Sequence, residues 1–245
     1  MSEDRQLREG FILQSVKQIR KSQPRVGARK LQHMLPEHGI TVGRDRLLNL
    51  LDRYGLLIGP AKNYRKTTNS YHHFHKYSNL IKELEIQGPN HVFVSDITYL
   101  DTHEGFCYLA LVTDLYSRKI VGWDISKSLS IEGCQRALKQ ALRSVSKPEK
   151  LIHHSDRGIQ YCSKGYVELL TNKNAQISMT EENHCYENAV AERVNGILKQ
   201  EFMMATKHLS YQNAFKLTSQ AIRIYNEERL HSSLNYQTPA QRYQA

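Results

Sequence analysis

Residues 91–126 read HVFVSDITYLDTHEGFCYLALVTDLYSRKIVGWDIS. Three runs in it, HVFVSDITYL, FCYLALVTDLY and KIVGWDIS, are dense in β-branched and aromatic residues, and the stretches THEG and SR divide them. Such runs suit a pleated, half-buried surface, so they predict three successive strands of an antiparallel meander. Downstream the period changes. A helix is expected from Ile131 to Val145, stopped by Lys147-Pro148, and then a short apolar strand, KLIHH. A helix from about Ser163 to Thr171, a fifth strand AQISMT and a long helix from Glu187 to about Met204 complete the pattern. This order predicts an α/β fold, a mixed five-stranded sheet flanked by helices. A last helix is expected from about Tyr211 to Glu228, and the tail HSSLNYQTPAQRYQA reads as irregular.

The N-terminal part carries a different pattern. Ile12, Val16 and Ile19 recur at helical spacing within residues 7–21. A second helix is expected from Ala28 to Leu35, with Leu31 and Leu35 inward, Arg29 and Lys30 outward, and Pro36 to Gly39 breaking it. A third starts near Gly43, turning Leu47, Leu50, Leu51 and Tyr54 to a small core, with Arg44 and Arg46 in its first turn. Two short helices joined by a turn, the second opening on arginines, suit a helix-turn-helix-like unit whose second helix enters the major groove. Three-helix bundles without DNA are also common.

Charge follows the same division. Residues 1–85 hold 16 Lys and Arg against 8 Asp and Glu, whereas residues 86–245 hold 18 against 16, within a net charge of +10. A concentrated basic excess suits phosphate neutralisation. From Gly59 to Lys76 basic Lys62, Arg65, Lys66 and Lys76 alternate with Tyr64, Tyr71 and Phe74, the composition of a linker able to track a nucleic-acid backbone or simply to lie in solvent. The apolar runs are far too short to cross a bilayer and the first residues lack the apolar core of a signal peptide, so a cytoplasmic, nucleoid-associated location is expected. Cys107, Cys134, Cys162 and Cys185 are widely spaced, which favours reduced thiols, and His72, His73 and His75 have no nearby cysteine to complete a zinc site. Neither a P-loop nor a G-x-G-x-x-G pattern is present, which argues against nucleotide hydrolysis.

Three carboxylates stand out. Asp96 ends the apolar run of HVFVSD, Asp156 follows LIHHS, and Glu192 lies in the helical stretch ENAVAERVNGILK, with 35 residues between it and Asp156. If the strands carrying Asp96 and Asp156 are neighbours, both reach one spot. At 100° per residue Asn188, Glu192, Asn195 and Lys199 share a polar stripe, with Val190, Val194 and Ile197 roughly opposite. Crowded carboxylates repel one another, and a pair of divalent cations, Mg²⁺ or Mn²⁺, would relieve the repulsion and activate an attacking oxygen.

The segments V-S-D-I-T-Y (94–99), L-Y-S-R-K-I-V-G-W (115–123), H-S-D-R-G-I-Q-Y-C-S (154–163), C-Y-E-N-A-V-A-E (185–192) and Y-N-E-E-R-L-H-S-S-L-N-Y-Q-T-P-A (225–240) resemble bacterial insertion-sequence transposases of the IS-three family, in their second-reading-frame product. R-V-G-A-R-K-L (25–31) is similar to that family's small helical domain. The resemblance implies an RNase H-like, retroviral-integrase-like core with a catalytic, metal-binding triad at Asp96, Asp156 and Glu192. It places Lys199 at a basic position expected to touch DNA near the cut. Further DNA contacts are expected from Arg157, Arg29, Lys30, Arg44, Arg46, Lys62, Arg65 and Lys66.

The implied activity is metal-dependent cleavage and strand transfer at insertion-sequence ends. The implied partners are element-end and target DNA, a homo-oligomer on that DNA, and a product encoded upstream or fused to it, with no membrane. The organisation follows as a helical DNA-binding segment (1–58), a basic linker (59–86), an integrase-like core (87–205) and a C-terminal helix and tail (206–245). Phe93 stands where the family usually has Trp, Glu187 where it has Asp, and Glu181 and Glu182 where it is more basic. Two rival readings are a catalytically silent DNA-binding derivative and an RNase H-like nuclease that cuts without joining.

Overall fold

The computed structural model describes residues 3–59, 73–181, 188–202, 204 and 209–245. Lys62, Arg65, Lys66, His72, Glu182, Cys185 and Glu187 therefore lie outside the described residues. The chain opens with α1 (Glu3–Ser22), α2 (Ala28–Met34) and α3 (Arg44–Arg53). Ile12, Val16, Ile19, Val26, Leu31, Leu35, Leu47, Leu50 and Leu51 are buried together as a small core of their own. The turn after α2 closes as its sequence requires, with Pro36 starting a 3-10 turn and Gly39 ending it at φ 73, a left-handed angle that glycine adopts without strain. Tyr54, expected in this core, is exposed instead, because it caps the end of α3 beyond the helix's inward face.

The sheet follows with β1 (Val92–Thr102), β2 (Gly105–Asp114), β3 (Ile120–Ser126), β4 (Ile152–Ser155) and β5 (Gln176–Met179), in the spatial order β3-β2-β1-β4-β5. The first three strands form the expected antiparallel meander, while β4 pairs parallel with β1, and β5 parallel with β4. Parallel pairing needs crossover helices, and α4 (Ile131–Leu142), the short α5 (Ile159–Cys162) and α6 (Lys164–Thr171) supply them. α7 (Ala189–Glu201), α8 (Tyr211–Glu227) and α9 (Pro239–Gln244) complete the chain.

Alternation along β2 shows how the layers are built. Leu109 and Leu111 face a cluster with Val194, Ile197 and Leu198 of α7 and Ile222 and Tyr225 of α8. Ala110 and Val112 face the opposite cluster, with Ala137, Leu138 and Ala141 of α4 and Tyr166 of α6. Helices therefore cover both faces, and β2 is apolar on both sides. On β3 a side chain at Gly122 would run into the Ala137 carbonyl, so α4 lies directly on that strand.

Two stretches are more ordered than their sequence suggested. Residues 77–86, read as part of a linker, pack on the sheet: Ile81, Leu84 and Ile86 lie against Val92, Val94 and Ile152, and the Leu80 amide donates to Ser178 Oγ at 2.9 Å. The tail, read as irregular, holds a 3-10 turn (Ser232–Leu234) and α9, whose first turn is closed by a capping box between Thr238 and Gln241.

Candidate active site

Asp96 sits in the interior of the central strand β1, opposite Leu111 of β2. The parallel register pairs Ser95 with Ser155. The next residue on each chain is Asp96 and Asp156, so two carboxylates stand side by side where β4 ends. Asp96 is held from both sides: the Ile97 amide donates to its Oδ1 at 2.9 Å, and Asn195 Nδ2 of α7 donates to its Oδ2 at 2.8 Å. Asn188 adds a second tie, donating from Nδ2 to the Ser95 carbonyl at 3.1 Å.

Asp156 occupies the turn after β4, where the Gly158 amide donates to its Oδ1 at 3.0 Å. A Cβ on Gly158 would come within 2.9 Å of that same oxygen, which accounts for glycine two residues after the aspartate. Glu192 lies in the first turn of α7 and is exposed.

The electrostatics join the three. Burial first, and then the negative charges of Asp156 and Glu192, raise the Asp96 carboxyl to about 7 against the opposing Asn195 and Ile97 hydrogen bonds. Asp96 thus feels both other carboxylates, although among the described residues no three Asp, Glu, His or Cys side chains converge as a ready-made cation cage. Two oxygens beside it, Asn188 Oδ1 and Asn195 Oδ1, are buried without a hydrogen-bond partner. An all-oxygen donor set with surplus negative charge fits a hard divalent cation.

Beneath the site lies a buried polar layer that sequence reading missed. His153 of β4 has its Nε2 within 2.8 Å of Ser95 Oγ and 2.9 Å of the Tyr166 hydroxyl, and burial pushes the ring down to about 3, so it is neutral. The adjacent histidines of LIHHS were the readable signal: His153 serves this layer, while His154, turned to the opposite face, has its Nδ1 2.8 Å from Ser178 Oγ.

Other expected residues divide. Burial lowers the Lys199 amine, while Asp96 and Asp101 raise it, so this lysine belongs to the same electrostatic neighbourhood. Arg157 is partly buried in the turn between Asp156 and Gly158. Arg29 and Arg46 are exposed on α2 and α3, and Arg44 is exposed with its Nε 2.8 Å from Asp45 Oδ1. Lys30 is a correction. Instead of facing outward to DNA, it is largely buried with Nζ 3.1 Å from both carboxylate oxygens of Glu201, at the end of α7. The turn before α2 also meets that end of α7, where the Arg25 amide donates to the Glu201 carbonyl at 3.3 Å, so the side chain is turned to protein. The Asn188, Asn195 and Lys199 stripe likewise faces the aspartates and not open solvent.

Residues 87–185 match the family model of the integrase core domain, and residues 173–239 match a second integrase core domain model. The chain is 38% identical over 216 residues to the insertion element IS600 uncharacterized 31 kDa protein of Shigella sonnei, covering 87% of this chain and 79% of that one. It is 31% identical over 235 residues to the putative transposase for insertion sequence element IS986/IS6110 of Mycobacterium tuberculosis, covering 93% of this chain and 84% of that one. Among solved structures, the HTLV-2 integrase catalytic core domain in complex with magnesium superposes with a TM-score of 0.51 at 19% identity, over 64% of this chain and 97% of that chain, which establishes a shared RNase H-like fold. An integrase core built on this sheet, together with relatives matched over about four fifths of their length, places the chain in the family of bacterial insertion-sequence transposases.

Proposed function

We propose that this transposase cuts and joins DNA strands at insertion-sequence ends with Asp96, Asp156 and Glu192 as its catalytic carboxylates. The observation that carries this reading is the pairing of β1 with β4, which sets Asp96 beside Asp156 and within the field of Glu192. Asp96, Asp156 and Glu192 would hold one or two divalent ions, Mg²⁺ or Mn²⁺; when bound, such ions activate the attacking oxygen and stabilise the leaving one. The HTLV-2 integrase core, which shares the fold, was solved with magnesium.

The chain's own residues do the rest. Asn195 and the Ile97 amide fix the two oxygens of Asp96, leaving little rotational freedom to lose in the reaction. With its carboxyl near 7, Asp96 is partly protonated at neutral pH until positive charge arrives, which lessens repulsion from Asp156. Lys199, beside Asp96 and Asp101, supplies a cation for a phosphate near the scissile bond.

Residues 1–58 serve DNA binding through exposed Arg29, Arg44 and Arg46. Arg157, and Lys62, Arg65 and Lys66 of the linker 59–86, add contacts to it. The core 87–205 carries the chemistry, and residues 206–245 brace it. The working form is an oligomer on DNA in the bacterial cytoplasm, with a product of an upstream reading frame as partner or fusion. Among the described residues no helix is long and apolar enough to cross a membrane.

The test is incubation with labelled element-end DNA and Mg²⁺ or Mn²⁺. Nicked and joined strands are expected. Nicks without joining would assign a nuclease, and neither product, with DNA still bound, would assign a silent derivative.

A further inference from the structure

The segment 225–240 takes no part in the chemistry above, yet its side chains touch three separate parts of the molecule. The Tyr225 hydroxyl donates to the Arg118 carbonyl at 3.0 Å, and Asn226 pairs with both the amide and the carbonyl of Ile120 at 2.9 Å, so α8 grips the edge strand β3. Arg229, 3% exposed, donates from Nε and Nη2 to the two Glu201 oxygens, each at 2.8 Å. Glu201 also receives Lys30 of α2, and its carbonyl accepts from the Arg25 amide at 3.3 Å. Beyond it, Asn235 and Tyr236 both have positive φ, 51 and 61, in a tight turn that lays the Tyr236 ring on His33 of α2 with centroids 3.5 Å apart. An aromatic residue in the left-handed region is strained and persists only where its surroundings hold it.

Glu201 is the last residue of α7, nine residues beyond Glu192 and so about 13 Å along the helix axis. The start of α7 is tied to β1 by its N-cap Asn188, and its middle by Asn195. The helix is continuous from Ala189 to Glu201, so displacing its Glu201 end pivots α7 about those ties and turns Glu192 with it. The cluster is also short of negative charge. Burial and the neighbouring Arg229 push the Lys30 amine down to about 8 against the pull of Glu201, and Arg193 adds to the repulsion.

We infer that Lys30, Glu201 and Arg229 are positioning residues that seat α7, and with it Glu192, on the N-terminal helices, so that DNA held by those helices sets the placement of Glu192. The inference rests on the reading of Glu192 as a catalytic carboxylate. Its test is Lys30→Met in the full chain. This variant keeps the aliphatic stem and leaves Glu201 paired with Arg229, so the fold is retained. Hydrogen exchange of the amides at 197–202 should accelerate by about tenfold as that end of α7 loosens. Cleavage should fall on the order of ten- to a hundredfold, the effect of an ångström-scale misplacement, with DNA affinity unchanged. Lys30→Arg should restore both, since a guanidinium also pairs with the carboxylate. Unchanged exchange in Lys30→Met, unchanged cleavage, or a loss that Lys30→Arg does not rescue would each overturn the inference. Glu192→Gln serves as the control, with cleavage abolished and exchange at 197–202 as in wild type. Cleavage retained by Glu192→Gln would sink the reading of the site, while the exchange result for Lys30→Met would still be read separately.

Discussion

The two halves of the candidate site are built on opposite principles. The strand half, Asp96 and Asp156, sits where β1 and β4 run side by side, and every oxygen of Asp96 has a donor from the protein. The helix half, Glu192, stands exposed on the first turn of α7, with nothing but the helix's own seating to place it. The strand half is held by covalent geometry and sheet register, which do not change without unfolding. The helix half is held by Asn188 at the start of α7, by Asn195 midway and by Glu201 at its end. Carboxylates alone repel, so a site divided between a sheet-held half and a helix-held half would ease the crowding of charge until a cation offset it.

The largest effect expected from this comparison is on rate, and there the halves should be equal. Asp156→Asn and Glu192→Gln each keep size and shape while removing one negative charge. Each should lower strand cleavage and joining by at least about 10³-fold, equivalent to roughly 4 kcal/mol of transition-state stabilisation, with DNA affinity retained. Gel analysis of end-labelled DNA with matched binding measurements decides it. A variant of either residue that cuts at the wild-type rate removes that residue from the triad.

A smaller effect should separate the halves. The folded-state pKa of Asp96 is raised to about 7 from an ordinary value of 3.8. Its protonation stabilises the fold fully below about 4, and that contribution is lost as pH rises through 7. Without a divalent ion, Asp96→Asn should therefore match wild type in Tm near pH 4 and exceed it near pH 8. The gain should be about 1–2 kcal/mol, or roughly 2–6 °C for a chain of this size. Adding Mg²⁺ should narrow the gap. Glu192→Gln, at an exposed position of α7, is the comparison for the helix half. Thermal melts of both variants across this pH range check the contrast, and equal gains would show that the helix half is as tightly coupled as the strand half.

Much of this was legible before any coordinates. The apolar runs from His91 to Ser126 and the helix patterns around them determine the meander and the layers, because burial on both faces leaves few other solutions for such residues. The three carboxylates were legible through their local contexts, and the five ordered segments pointed to the family. Asp96 lies inside the strand that HVFVSDITYL predicts, and β1 runs only two residues beyond that stretch, to Thr102. Lys30, by contrast, was misplaced. Its partner Glu201 lies 171 residues away, and helical periodicity cannot distinguish a face turned to solvent from one turned to another helix. The tail looked irregular because its ordered pieces are single turns, below the length at which periodicity shows. The T-P-A-Q sequence of its capping box, Thr238 to Gln241, is the one local signal of order in the tail.

The smallest expected effect concerns Lys199, which belongs to α7 but faces the strand half. Two roles compete for its charge. Asp96 and Asp101 both favour its protonated form, so it could act inward, as a partner that offsets carboxylate repulsion. It also lies seven residues after Glu192, two turns along the same face, where a phosphate beside the scissile bond would come within reach. The roles differ in their dependence on salt. A phosphate contact releases counterions, so Lys199→Gln should reduce the slope of log affinity against log salt by about 0.9, with no change in its sign. An inward role leaves that slope untouched and instead lowers Tm at pH 8, where Asp96 is ionised. Titrating element-end duplex against wild type and Lys199→Gln at several salt concentrations separates the two. A slope unchanged within error, with a reduced Tm, would move Lys199 from the DNA interface into the support of Asp96.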